Sequence, residues 1–155
     1  MRFQINGLEE GQFQHLFDEG RDALVSIGAQ LVTADEHPGY PCRVSLQDAE
    51  AGETVLLLNF EHLPGLTPFR SSHAIFVRKG ATRAQLNDNH IPELLRIRTI
   101  SVRAFDDNNM MVDADIADGE NLEPVIERML SLDSVSFLHL HNAQRGCYLA
   151  RVDRD

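Results

Sequence analysis

The chain has 155 residues and a formal net charge of −10, because 24 aspartates and glutamates outnumber 14 lysines and arginines. This length predicts a single globular domain over residues 1–155, able to fold without a disulfide or metal staple. The acidic charge disfavours nucleic acid and membrane surfaces as partners. No stretch approaches the roughly 18–20 apolar residues of a membrane-spanning helix, and no secretory signal opens the chain, so we expect a cytoplasmic protein.

The first part of the chain predicts a helix followed by strands. Apolar residues at helical spacing predict an amphipathic helix over residues 8–19. Residues 30–33 predict a short strand, and the alternation of apolar and polar residues over 42–46 predicts another. Residues 54–60 are apolar on both faces, which is typical of a central strand.

The rest of the chain predicts mostly strands joined by short loops. A long connection over residues 61–72 comes first. The elements predicted after it are a strand at 73–78, a hairpin of 98–105 with 110–116, a helix at 122–132, and two strands at 135–141 and 147–152. Short links favour antiparallel neighbours. The sequence therefore predicts an α+β fold, a mainly antiparallel sheet of about seven strands with two or three helices on one face.

Five sequence blocks occur in a specific order and spacing. They are PGYPCRVSL at 38–46, VLLLNFEH at 55–62, AIFVR at 74–78, MMVDAD at 110–115 and HLHNAQRGCY at 139–148. Over about residues 30–153, the chain resembles the bacterial domain-of-unknown-function family 1203. The resemblance implies a compact cytosolic protein of one domain. It implies no catalytic residue, because the family carries no assigned activity.

The predicted loops suggest a pocket at one end of the sheet. A hairpin of residues 42–47 with 54–60 would bring loop 35–41 and connection 61–72 to the same end. Binding residues often lie on such loops, and arginines there can hold a small anionic molecule. The candidate ligand-binding residues are Tyr40, Cys42, Arg43, Glu61, His62, Arg70, His73, His141, Asn142 and Arg145.

The last predicted hairpin suggests an alternative function, a cysteine- or metal-dependent enzyme. A loop of three or five residues would place His141 opposite Cys147, where a thiol beside an imidazole can act as a nucleophile. A loop of four residues would separate them. Cysteine also packs as a small apolar residue, so a structural role competes with the catalytic one. The sequence does not decide whether the protein is an enzyme.

A metal site is a further possibility. His139 and His141 present two imidazoles on one strand face. The residues that could complete such a site are Cys147, Cys42, His62 and Asp113. Because no Cys-x-x-Cys or His-Glu-x-x-His spacing supports it, the sequence assigns no metal ligand and no cofactor.

Two carboxylates lie on one face of a predicted strand. Asp113 and Asp115 could serve acid–base chemistry or bind Mg²⁺. An ion pair with Arg98 on a solvated face is the simpler interpretation.

A third function is a non-catalytic interaction module. Leu63, Leu66 and Phe69 could form an exposed apolar patch in the long connection. The acidic surface would then favour a basic protein partner. The oligomeric state is open.

Overall fold

The computed structural model describes all residues from Met1 to Asp155. Eight strands form two antiparallel sheets that are accompanied by three α-helices, so the α+β class is confirmed. The elements are β1 Phe3–Asn6, α1 Arg21–Ser26, β2 Gln30–Thr33, β3 Thr54–Leu63, β4 Ser71–Arg78, α2 Glu93–Arg96, β5 Thr99–Phe105, β6 Met111–Asp118, α3 Leu122–Leu130, β7 Phe137–Asn142 and β8 Tyr148–Arg154. No helix is long and apolar enough to cross a membrane.

The larger sheet has the strand order β1-β8-β7-β5-β6. Strand alternation sends Ile100 and Val102 of β5 and Leu140 of β7 to one face, where they join a core of 19 buried residues. The buried stripe of α3, with Leu122 and Ile126, packs into the same core. Two helices, α2 and α3, therefore cover one face of the larger sheet, whereas α1 packs against the smaller sheet through Leu24. The opposite face of the larger sheet is left to meet the second sheet.

The smaller sheet has the strand order β2-β3-β4, with β3 as its central strand. Leu56 and Ile75 pack against Phe13 and Phe17 from the N-terminal segment. That segment is not the single helix predicted over residues 8–19 but two short 3₁₀ turns, Glu10–Gln12 and Gln14–Asp18. Gly11 disfavours a continuous helix between them.

The predicted strand over residues 42–46 is absent, and so is its hairpin with 54–60. These residues form a compact turn, in which Cys42 N donates to Gln47 O at 3.0 Å and Arg43 N donates to Phe76 O at 3.1 Å. The alternation misled because Arg43 is as buried as its apolar neighbours. Gly7 lets the N-terminal segment approach this turn, since a Cβ there would lie 2.2 Å from Val44 O.

The long connection is shorter than predicted, because β3 continues to Leu63 and β4 begins at Ser71. The predicted apolar patch does not form. Leu63 is buried against two phenylalanines of the larger sheet, and Phe69 is half-buried beside it. Only Leu66 is exposed, which removes the structural basis for the proposed interaction surface.

Candidate functional site

Three histidines from both sheets meet where the sheets pack together. His62 lies on β3, His73 on β4 and His141 on β7. One ring nitrogen from each residue lies within 4.8 Å of the others. We call these three residues the histidine cluster. The strand register explains why two of the three histidines meet. Phe60 pairs with His73, which places His73 on the same sheet face as His62.

Irregular strand pairing occurs beside His62 and His141 and helps to direct their side chains into the cluster. The β3–β4 register shifts between Glu61 and Leu63, so the consecutive residues His62 and Leu63 are both buried. The β7–β8 register also shifts, between Leu140 and His141. Bulges of this kind often redirect side chains beside functional sites.

Burial keeps the imidazoles neutral. The pKa of His62 is lowered to about 4 and that of His141 to about 3, and desolvation by burial is the largest cause of both shifts. The pKa of His73 is lowered for the same reason. The positive charge of Arg103 acts in the same direction on all three. At neutral pH these rings therefore have nitrogen lone pairs available to bind a proton donor or a cation.

A hydrogen bond to a backbone carbonyl defines the tautomer of the His141 ring. His141 Nδ1 lies 2.9 Å from Gly146 O, so Nδ1 carries the proton and Nε2 presents a lone pair. Gly146 has a φ of +84°, a conformation that glycine adopts without strain. His62 Nε2 lies 2.6 Å from His73 Nδ1. His141 Nε2 and His62 Nδ1 are buried without a hydrogen-bond partner.

Tyr148 forms one wall of the cluster. Its ring stacks on His62 with centroids 5.0 Å apart and an interplanar angle of 8°. Burial raises the pKa of the Tyr148 phenol, which stays protonated at neutral pH. The stacking fixes the orientation of the His62 ring.

A buried arginine lies behind Tyr148. Arg43 is 2% exposed and makes no ion pair with a carboxylate. Its guanidinium donates to Pro41 O at 2.6 Å, Tyr148 O at 2.7 Å and Cys147 Sγ at 3.1 Å. Desolvation lowers its pKa, and the contact with Cys147 opposes that effect.

A cleft of about 1100 Å³ opens beside the cluster. Its polar lining comes from the 36–43 segment, β4, the start of β5 and the β7–β8 loop. The charged and polar residues of the lining are Glu36, Tyr40, Arg43, His73, Arg98, Thr99, Asn142, Gln144, Arg145 and Cys147. His73 belongs to both the cleft and the histidine cluster.

The structure gathers most of the candidate ligand-binding residues but not all of them. Tyr40, Arg43, His73, Asn142 and Arg145 line the cleft, and His62 and His141 lie in the cluster next to it. The other three lie elsewhere. Cys42 is fully buried behind the cleft, and Glu61 pairs with Arg70 at 3.3 Å on the exposed surface.

The His141–Cys147 pairing predicted for a loop of three or five residues does not occur. Asn142 N donates to Cys147 O at 2.9 Å, so four residues form the loop and His141 pairs with Tyr148 instead. The hydrogen bonds of His141 and Cys147 go to Gly146 and Arg43. This arrangement gives the thiol no imidazole base from His141.

The paired aspartates also have a different partner from the predicted one. Arg128 of α3 binds Asp115 at 2.5 Å and Asp113 at 3.4 Å on the surface. Arg98 instead holds Asp48 with contacts of 2.7 and 2.9 Å. Sequence reasoning missed Arg98 as a cleft residue, because the turn that carries Asp48 was predicted to close a hairpin.

We expect iodoacetamide to modify Cys147 before Cys42, since Cys147 lines the cleft and Cys42 is fully buried. A buried thiol reacts only through local or global unfolding. Peptide mass spectrometry over a time course measures both sites. A Cys147→Ser variant should remain unlabelled under native conditions, and equal labelling of the two cysteines would contradict the expected exposure.

The fold and the site define an α+β protein of two packed antiparallel sheets, with a histidine cluster between them and an arginine-lined cleft alongside. The chain belongs to the family DUF1203, described as a protein of unknown function, whose profile matches residues 39–154. The match confirms the family resemblance and begins at residue 39 rather than near 30. No curated protein and no solved structure matches the chain.

Proposed function

We propose that this protein binds a small anionic molecule in the cleft. One observation carries the proposal. The cleft lining contains three arginines, Arg43, Arg98 and Arg145, and a single carboxylate, Glu36. In the whole chain, by contrast, 24 acidic residues outnumber 14 basic ones. A cleft with an excess of positive charge attracts ligands of negative charge.

The pairing of these arginines sharpens the argument. Arg98 is neutralised by Asp48, whose side chain is 4% exposed. Arg43 and Arg145 have no carboxylate partner. Arg145 is exposed at the rim, where its guanidinium is free to bind an anion through two parallel hydrogen bonds.

A neutral donor lies near the rim arginine. The Asn142 side-chain oxygen accepts a hydrogen bond from Gln144 N at 3.0 Å, which leaves its amide group free to donate. Arg43 anchors the wall of the cleft, where its buried guanidinium adds positive charge. The proposed ligand is therefore a phosphate- or carboxylate-bearing molecule rather than a cation or an apolar compound.

We further propose that the protein acts in the bacterial cytoplasm. The resemblance to a bacterial family supports this location. So do the two free cysteines, which a reducing compartment preserves. The anionic ligand would then be a cytoplasmic small molecule.

Arg145→Gln is expected to weaken anion binding about 10- to 150-fold, the effect of losing a charge-assisted hydrogen bond. Isothermal titration calorimetry with inorganic phosphate, and separately with citrate, measures the dissociation constant. Because Arg145 is exposed and makes no hydrogen bond within the protein, the variant should retain the wild-type melting temperature.

Arg70→Gln is the matched control. Arg70 is also exposed, but it pairs with Glu61 outside the cleft. We expect this variant to bind both anions as the wild type does. Equal affinities for the wild type and Arg145→Gln, or equal losses in the two variants, would contradict a specific anion site in the cleft.

A further inference from the structure

The histidine cluster is unusual because its ring nitrogens have no acidic partner and few hydrogen bonds. Two sheets contribute the three residues, so no local turn or loop requires them to meet. Two nitrogens of the cluster, His141 Nε2 and His62 Nδ1, are buried with no partner at all. Buried polar atoms in native proteins are almost always satisfied, so these orphan atoms call for an explanation.

We propose that His62, His73 and His141 form a binding site for a divalent transition-metal ion such as zinc. The geometry fits such an ion. Zinc binds imidazole nitrogens at about 2.0–2.1 Å, which separates tetrahedral ligand nitrogens by about 3.3 Å. One ring nitrogen from each residue lies within 4.8 Å of the other two. Small side-chain rotations would bring all three to the required spacing.

The tautomers and protonation states of the three histidine rings also fit metal binding. A metal-bound histidine usually donates its other N–H to a carbonyl or carboxylate, which fixes the tautomer and orients the ring. His141 meets this requirement, because Nδ1 binds Gly146 O and Nε2 is left free. The His62 ring is held by stacking on Tyr148. The pKa values of all three rings are lowered, so no proton competes with the metal at neutral pH.

The donor set selects the class of metal. Three imidazoles suit zinc, copper, nickel or iron, whereas magnesium and calcium prefer oxygen ligands. No carboxylate belongs to the cluster. The site is therefore assigned to a transition metal with nitrogen ligands, and zinc is the probe for testing it.

Charge balance identifies the remaining ligand. Three neutral imidazoles leave the full charge of the metal uncompensated, and Arg43 and Arg103 add positive charge nearby. The fourth ligand is therefore an anion, either hydroxide or, on the basis of the proposed function, the anion bound in the cleft. His73 lines the cleft and also belongs to the cluster, so a metal held by the cluster would lie next to the anion site. A site with three protein ligands and one exchangeable position is typical of catalytic zinc.

The test is a zinc titration of the chelator-treated full chain by isothermal titration calorimetry. We expect one zinc per chain and a higher melting temperature when zinc is present. His73→Gln should weaken zinc binding by more than about 100-fold, since even residues that only support metal ligands contribute about 10- to 100-fold. His73 is half-buried, so the variant should fold, and the melting temperature without metal checks this.

His90→Gln is the matched control, an exposed histidine outside the cluster. It should bind zinc with wild-type affinity. His141→Gln provides a second ligand variant, and cobalt absorption spectra should show a tetrahedral site in the wild type and in His90→Gln but not in His141→Gln. Absence of stoichiometric zinc binding, or unchanged affinity in His73→Gln, would overturn the proposal in favour of a hydrogen-bonded cluster.

The two proposals fail separately. Phosphate binding that depends on Arg145 but is unaffected by zinc would keep the anion site and remove the metal from it. Zinc binding that depends on His73, without any binding of phosphate or citrate, would keep the metal site and reject the proposed function. If both hold and the sites are coupled, zinc should tighten phosphate binding, and phosphate should tighten zinc binding by the same factor.

Discussion

Replacing Arg43 with methionine is expected to lower the free energy of unfolding by about 2–4 kcal/mol. The variant leaves Pro41 O and Tyr148 O without their donor, and each buried carbonyl without a partner costs about 1–3 kcal/mol. The substitution also removes a buried charge that is costly to desolvate, which offsets part of that cost. Methionine fills most of the volume, so no large cavity adds to it. Urea denaturation followed by circular dichroism measures the change.

Arg70→Met is the control for this prediction, because Arg70 is exposed and makes one surface ion pair. Such pairs contribute about 0–1 kcal/mol. Denaturation in the presence of phosphate then separates the structural role of Arg43 from its role toward the ligand. Phosphate should stabilise the wild type and Arg70→Met but not Arg43→Met. A fully stable Arg43→Met would contradict the anchoring role that its hydrogen bonds indicate.

Local patterns in the sequence were sufficient to predict much of the larger sheet. The β5–β6 hairpin was predicted because alternating residues flank the polar turn at 106–109. The structure closes that turn through Asp106, whose carboxylate accepts from Asn108 N and Met110 N. Turn chemistry of this kind acts within a few residues, so the sequence displays it directly.

The segment that carries Arg43 could not be predicted in the same way. Its alternation matches a strand, but its backbone groups bond to Phe76 of β4, to Leu8 and Ala84, and within the turn itself. A buried arginine at a position that looks solvent-facing is a tertiary effect, since its partners Tyr148 and Cys147 lie more than 100 residues away. The secondary-structure pattern contains no trace of these contacts.

The histidine cluster shows the same limit. His141 and His62 were both considered as metal ligands, but together with His139, Cys147, Cys42 or Asp113 rather than with His73. The strand pairing that joins His73 to His62 follows from one hairpin, and sequence spacing could have suggested it. The meeting with His141 depends on how two separate sheets pack and on a bulge in each strand pair, which no local pattern records.

Acidifying the chelator-treated protein below pH 6.5 is expected to destabilise it steeply. Burial lowers the pKa of His139 to about 2 and that of His141 to about 3, while in the unfolded chain both titrate near 6.5. Below that pH the unfolded state binds protons that the folded state excludes. Stability then falls by about 1.4 kcal/mol per pH unit for each ring. At about pH 4.5 the two rings together cost about 5 kcal/mol, comparable to the total stability of a small domain.

The slope of stability against pH can be assigned to individual histidine rings. His139 faces two cations, Arg103 and Arg151, and two further imidazoles, His62 and His141, all of which oppose its protonation. Because burial is the main cause and every neighbour acts in the same direction, the lowered pKa of His139 does not depend on one contact. His139→Phe removes this titrating ring and should reduce the slope of stability against pH by about 1.4 kcal/mol per unit.

Urea denaturation at a series of pH values, with chelator present throughout, measures the slope for each variant. His15→Gln is the control variant, because His15 is exposed and lies outside the buried histidines. Since His139 is outside the three-residue metal site, His139→Phe should still bind zinc. Zinc should in turn restore stability at mildly acidic pH in both proteins, because it binds only the folded cluster. A slope identical in His139→Phe and the wild type would mean that the His139 ring is protonated in the folded protein, in conflict with its burial among cations.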